Sequence, residues 1–330
     1  MTRAGFVALA GRPNVGKSTL VNAVVGERVA IVSDRAQTTR RAIRGVRTER
    51  DSQIVLVDLP GVQRPRDALT ARMAQRVREE LQGADAVLLL LSGEQGVGAG
   101  DRFIARALLE SGLRAPDLRP RAPDLRSRAP YLQPRAHDLQ PSIPTSRRPT
   151  RTAIAVNKVD RLSRAETLEA LRGAAELGLE AEVFAISART GEGVGRLVEH
   201  LQALLPEGPF MFAPEARSDQ PLELLVAELI REAAIRRTFQ ELPHALEVVV
   251  EAIERASPEV MRVSALIWVE SSSQKGIVIG AAGRKIKAIG GAARGELEAE
   301  LGSRVYLDLM VRVRRDWRRD ESLLDRLGIG

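Results

Sequence analysis

Residues 11–18 read Gly-Arg-Pro-Asn-Val-Gly-Lys-Ser, a full match to G-x-x-x-x-G-K-[ST]. The stretch leading into it, residues 5–11 (Gly-Phe-Val-Ala-Leu-Ala-Gly), has the unbroken apolar character of a buried strand that ends in a glycine turn. A helix is expected from Lys17 to about Val25. Strand, glycine-rich turn and helix in this order point to an α/β fold with a largely parallel sheet. In such a turn Gly11 and Gly16 let backbone N–H groups approach phosphates, and the helix N-terminus adds positive potential. Arg12, Pro13, Asn14 and Val15 complete the loop, and Thr19 follows it. Lys17 is expected to reach the β/γ-phosphates and Ser18 to offer a hydroxyl to Mg²⁺.

The rest of the first half keeps the rhythm. Buried strands are expected at Ile54–Asp58, Ala86–Leu91, Ala153–Val156 and Val183–Ile186, with helices at 68–82, 100–111 and 164–177. Polar groups follow three of these strands. Asp58-Leu59-Pro60-Gly61 offers a carboxylate for Mg²⁺ and a glycine N–H for a γ-phosphate. Asn157-Lys158-Val159-Asp160 reads as N-K-x-D, whose carboxylate accepts from guanine N1 and N2. Adenine has no matching donors, and a wrong base would leave buried polar groups unpaired, so GTP is expected rather than ATP. Ser187-Ala188-Arg189 is expected to close the base pocket, with the Ala188 N–H aimed at guanine O6.

Composition restrains two further readings. The longest apolar run, Ala86–Leu91, is far too short to cross a bilayer. There is no cysteine, so neither disulfides nor a thiolate metal site is expected, which fits a cytoplasmic protein. The formal charge of +7 suggests nucleic acid, but nine arginines and three aspartates within residues 114–151 supply most of it. There the chain reads RAPDLRP, RAPDLRS, RAPYLQP, RAHDLQP, four copies of a seven-residue unit. Recurrent proline argues against a coiled coil. A disordered or polyproline-like insert over 114–150 is expected.

The pattern changes after Leu205-Pro206-Glu207-Gly208-Pro209. An amphipathic helix is expected at Pro221–Phe239, strands at Ala245–Ile253 and Val260–Glu270, helices near 284–289 and 291–301, and a strand at 304–313. Gly280-Ala281-Ala282-Gly283 is a G-x-x-G turn entering a basic helix with Arg284, Lys285 and Lys287. In KH domains this turn clamps a single strand by its backbone. Arg312–Arg319 adds charge, and Trp317 is expected either to stack on a base or to pack.

The P-loop, Gln37-Thr38-Thr39-Arg40-Arg41, DLPG, NKVD and SAR, in this order, resemble the translation-factor-related GTPases. The QTTR stretch and the second half resemble the Era family of bacterial ribosome-assembly GTPases, over nearly the whole chain except 114–150. That resemblance implies a P-loop GTPase domain over 1–210 and an α+β type II KH domain over 215–330. It implies that Thr39 coordinates Mg²⁺ together with Ser18 and Asp58, and that Asn14, with Lys17 and Thr39, serves catalysis by helping to bind K⁺. It also implies a partner in the 3′ region of 16S rRNA, RNA rather than DNA, and a role in small-subunit assembly. Peripheral association with the cell membrane is implied too, although no sequence signal supports it. Val62 stands where many GTPases carry a water-orienting glutamine. The resemblance extends to relatives with an apolar residue there, so Val62 does not argue against hydrolysis. One departure is Ala281-Ala282, where a basic or polar residue is usual. The rival reading is a nucleotide-gated RNA-binding scaffold with negligible turnover.

Overall fold

The computed structural model describes residues 1–32, 39–61, 66–110, 151–238 and 242–329. Val62, Gln37, Thr38 and the repeat segment 114–150 lie outside the described residues.

Nine strands and ten helices are described. In the first half β1 (Arg3–Ala10) runs into α1 (Lys17–Val25), followed by β2 (Ile43–Thr48), β3 (Ser52–Asp58), α2 (Ala68–Gly83), β4 (Ala86–Ser92) and α3 (Ala99–Glu110). After the repeat segment come β5 (Arg151–Asn157), α4 (Arg164–Ala175), β6 (Glu182–Ala185) and α5 (Val194–Leu204). The six strands form one sheet in the order β2-β3-β1-β4-β5-β6, parallel throughout except for the antiparallel β2–β3 pair. Side chains alternate across it. Leu9, Leu20, Leu56, Leu88 and Leu201 fill one face, and Ala8, Val57, Leu89, Ile104 and Ile154 fill the other. The chain leaves β1 first towards β3 and later returns to β4 on the opposite side. That reversal opens a crevice at the carboxyl ends of the central strands, the place where ligands settle in open α/β sheets.

Strand β2 is not among the expected elements. It is an edge strand whose arginines, Arg44 and Arg47, interrupt the apolar pattern, and it is specified by its pairing with β3.

The second half contains α6 (Leu222–Arg236), α7 (Leu242–Ala245), β7 (Glu247–Ser257), β8 (Val260–Val269), α8 (Ser272–Ile279), α9 (Arg284–Leu301), β9 (Arg304–Val313) and α10 (Glu321–Arg326). Its sheet has the order β7-β8-β9, antiparallel and then parallel. Helices α6, α8 and α9 cover one face through Val226, Ile230, Val278, Ile289 and Leu297. Short α7 apart, the αββααβ order stands, with one correction. The two helices expected after the glycine turn are a single helix, α9, and the other helix of the pair, α8, precedes the turn. The boundary between the two expected helices falls at Gly290. The helix continues through it because Ile289, Ala293 and Leu297 hold its buried face on the core.

The two sheets are joined by a fourth apolar cluster, in which Leu69 and Met73 of α2 pack on Trp317, Leu323, Leu324 and Ile329. Among the described residues, no helix is long and apolar enough to cross a membrane.

Candidate functional site

The loop 11–18 leaves β1 at the centre of the sheet and enters α1 through Gly16, which has φ 100° and no side-chain cap. The N–H groups of the first turn are therefore not taken by a capping side chain. Lys17 is buried, and its ammonium donates to Gly11 O at 3.1 Å and Arg12 O at 3.0 Å. Burial pulls its pKa down, with the Asp58 charge opposing. Arg12 turns away from the loop mouth. Its guanidinium donates to the fully buried Asp101 of α3 at 2.8 Å, which ties the loop to a neighbouring helix. Asn14 is exposed at the apex with φ 64°, a left-handed conformation that asparagine tolerates. Val15 is buried beneath it, and Thr19 lies in the first turn of α1.

Three oxygen-bearing side chains converge beside this loop. Ser18 Oγ donates to Asp58 Oδ2 at 2.5 Å, Thr39 Oγ1 donates to the same oxygen at 3.2 Å, and the two hydroxyl oxygens are 3.2 Å apart. Asp58 is fully buried at the end of β3, and its Oδ1 has no hydrogen-bond partner among the described residues. Burial raises its pKa, while Lys17 and the two hydroxyls pull the other way. A buried carboxylate oxygen without a donor, flanked by two hydroxyls, suits a hard divalent cation. Leu59 and Pro60 continue from Asp58 into the interior. Gly61 lies against Pro13, where a Cβ would come within 2.7 Å of the proline ring.

The expected base pocket is also brought together. Asn157, buried at the end of β5, donates from Nδ2 to Val15 O at 2.8 Å and accepts the Ala188 N–H on Oδ1 at 2.9 Å. One amide thereby links the P-loop to the loop after β6. The Ala188 N–H, expected to face guanine, is engaged by Asn157 in this structure. Asp160 accepts from Ser187 Oγ at 2.7 Å and pairs with Arg189 at 2.9 Å. The Ser187 hydroxyl, and after it the Arg189 charge, hold its carboxyl below the usual range. Lys158 has φ 70° and donates to Glu94 at 3.1 Å, while Val159 is buried below it.

The G-x-x-G turn lies about as expected, between α8 and α9. Ala282 is left-handed, with φ 49°, and both alanines are exposed. Arg284 and Lys287 are exposed and Lys285 is half-buried. Ile277, half exposed on α8, gives the turn an apolar neighbour. Trp317 packs rather than stacks. It is fully buried and donates from Nε1 to Ala245 O at 3.0 Å.

Sequence reasoning missed Asp101, Glu94 and a buried ionic group between the two sheets. Arg40, next to Thr39, donates to Glu247 at 2.6 Å and to Leu246 O at 2.7 Å. Arg41 pairs with Glu228 at 3.2 Å and donates to Leu327 O at 2.8 Å. Arg231 donates to Glu228 at 2.6 Å. The Glu228/Arg231 spacing on α6 was a local signal of an ion pair. Nothing local showed that it faces inwards.

Residues 6–116 match the family described as 50S ribosome-binding GTPase, and residues 241–318 match the KH domain. The chain is 40% identical to GTPase Era of Mycobacterium tuberculosis, over 98% of both chains. It is 40% identical to GTPase Era of Nocardioides sp., over 99% of this chain and 96% of that one. Its structure is similar to that of an Aquifex aeolicus Era variant bound to GDP·AlF4⁻, with TM-score 0.84 and 30% identity over the whole of both chains. Era in complex with MgGDPNP and nucleotides 1506–1542 of 16S ribosomal RNA is equally similar, again with TM-score 0.84 and 30% identity over both full chains. With a P-loop crevice at the centre of a mostly parallel sheet, a KH-domain match in its second half and 40% identity to GTPase Era over nearly its whole length, the chain is a GTPase of the Era family.

Proposed function

We propose that this chain is a GTP-hydrolysing switch over residues 1–210 whose KH domain, over 215–330, binds the 3′ region of 16S rRNA during small-subunit assembly. The observation that carries the switch reading is the cluster of Ser18, Thr39 and Asp58 beside the buried Lys17. These three residues would hold Mg²⁺, directly or through water. Held there, Mg²⁺ would supply positive charge to offset the charge that builds on the phosphate oxygens. Lys17 exchanges its two carbonyl acceptors for β/γ-phosphate oxygens. Gly11–Thr19 wrap the phosphates, and Asp58–Gly61 bring the γ-phosphate sensor alongside. Asn157–Asp160 and Ser187–Arg189 select guanine, with Asp160 accepting from the base edge in a pocket already organised by Ser187 and Arg189.

The RNA reading is supported by the exposed turn 280–283, the cations Arg284, Lys285 and Lys287, and the relative that carries 16S RNA. With alanines in the middle of the turn, backbone N–H groups supply the phosphate contacts and the basic helix supplies the charge. The place of the exposed, left-handed Asn14 in the P-loop supports a K⁺ requirement, because an asparagine amide can help to hold a monovalent cation, which would offset charge on the phosphates.

Single-turnover hydrolysis tests both metals. Removing Mg²⁺ is expected to lower the rate at least a hundredfold. Replacing K⁺ with Na⁺ is expected to slow the wild type and to leave Asn14→Ala, already slow, unchanged. Equal rates in the two salts for the wild type reject the K⁺ role and leave the Mg²⁺ assignment standing.

A further inference from the structure

Arg40 follows Thr39, one of the candidate Mg²⁺ ligands, and an arginine at that place has two possible uses. It can swing to the phosphates and stabilise charge there, or it can hold the backbone. The structure decides between them. The Arg40 side chain is fully buried, bonded to Glu247 and Leu246 O, and its guanidinium lies 5.4 Å from the centre of the Trp317 ring. Those partners all belong to the second half of the chain. Arg41 is held from the same side by Glu228 and Leu327 O.

Consecutive Cα atoms are 3.8 Å apart, so a guanidinium locked at residue 40 restricts where Thr39 can be. Thr39 Oγ1 already stands 3.2 Å from Asp58 Oδ2 and 3.2 Å from Ser18 Oγ. No segment of the first sheet supplies the anchoring carboxylates: Glu228 is on α6 and Glu247 opens β7. A hydroxyl that coordinates a metal works only if it is preorganised. Here the anchor comes from about 200 residues away in sequence.

We infer that Glu247, with Trp317 and through Arg40, is a positioning residue for hydrolysis: the KH half holds Thr39 in place to complete the metal site of the GTPase half. The inference rests on the proposed role of Thr39. Its electrostatics agree with the geometry. Burial would raise the Glu247 pKa, but Arg41, Arg40 and Arg231 outweigh it and hold the carboxyl at about 2, so it is ionised at neutral pH.

The test uses the full chain. Breaking a buried pair from one side risks unfolding, whereas replacing both members with apolar side chains of similar size often keeps a fold. The paired variant Arg40→Met/Glu247→Met is therefore compared with Thr39→Ala and the wild type. The paired variant is expected to lose at least tenfold in kcat and to need at least tenfold more Mg²⁺ for half-maximal rate. Its GDP affinity without Mg²⁺ should stay within twofold, because the P-loop and base pocket are untouched. Thr39→Ala is expected to show the same pattern. Wild-type kcat and Mg²⁺ dependence in a folded paired variant, with Thr39→Ala slow, overturn the positioning role alone. Wild-type behaviour of Thr39→Ala overturns the metal-ligand assignment and this inference with it. If the paired variant does not fold, Trp317→Phe decides: a shift of about threefold in the Mg²⁺ midpoint supports the inference, and no shift overturns it.

Discussion

Among the glycine turns that lead into helices without a capping side chain, those at Gly16 and Gly283 differ in what surrounds them. Gly16 opens α1 with φ 100°, and Gly283 opens α9 with φ 74°. A Cβ on Gly16 would meet the Asn157 amide at 2.3 Å, whereas one on Gly283 would meet nothing closer than 4.0 Å. Behind the first turn lie a buried lysine, a buried aspartate and an asparagine that spans two loops. Around the second lie exposed alanines and cations. A closed site can choose its ligand through unpaired-group penalties, while an open one collects a backbone by charge and shape. The same local geometry therefore serves two kinds of recognition, and the surroundings decide which.

The largest expected effect lies in the closed site. Asp160→Asn should weaken GTP by roughly 10³–10⁴-fold, because one of the two guanine donors then faces an NH2 donor instead of a carboxylate oxygen. Xanthosine triphosphate, whose C2 carbonyl accepts from the new amide, should gain. Calorimetry with both nucleotides measures the inversion, and unchanged GTP affinity would mean that the pocket does not read the base through Asp160.

A matched pair of substitutions sharpens the comparison. Gly16→Ala puts a Cβ into Asn157 and a strained φ on the residue, so GTP affinity should fall at least about a hundredfold. Gly283→Ala meets only the backbone strain, roughly 1–2 kcal/mol, and RNA affinity should fall a fewfold. Gly283→Asp adds a negative charge where a phosphate is expected to pass. It should abolish RNA binding in a salt titration while sparing GTP. Equal losses from the two alanine variants would erase the distinction between closed and open turns.

The smallest effect concerns the enclosed charges between the sheets. Against the opposing effect of burial, Arg41, Arg40 and Arg231 hold the Glu247 carboxyl at about 2, below its ordinary 4.5. Its ionised form thus stabilises the fold above about pH 4.5, and that contribution is lost as pH falls towards 2. One proton is involved, so the slope from this group cannot exceed about 1.4 kcal/mol per pH unit. Acid unfolding of wild type and the paired variant Arg40→Met/Glu247→Met should therefore run at different slopes over that interval. Parallel curves would mean that this carboxylate carries no linkage.

How much was legible follows the same division. The P-loop, DLPG and NKVD could be read because each follows or closes a buried strand, and SAR because it follows the short, half-buried β6; all four fall together at the carboxyl ends of the strands. Strand β2 was not, because edge strands are specified by their partner, and Arg44 and Arg47 hide its period. The helix boundary expected at Gly290 is absent because local propensity yields to the packing of Ile289, Ala293 and Leu297. Trp317 was legible as an aromatic among arginines, which left stacking and packing equally open. The Arg40–Glu247 pair was not legible at all, since neither residue carries a local sign of its partner about 200 positions away.

That separation has a consequence in time. A chain is made from its N-terminus at about 5–20 residues per second. The bond from Arg41 to Leu327 O spans 286 residues, so its two ends are synthesised roughly 15–60 s apart. During that interval the P-loop and base pocket can form on the ribosome, while the arginines beside Thr39 stay in water. A nascent chain stalled within its second half would then hold nucleotide without the finished switch. Turnover would stay slow until the last-made segment has docked, so fast hydrolysis would serve as a late mark of complete synthesis.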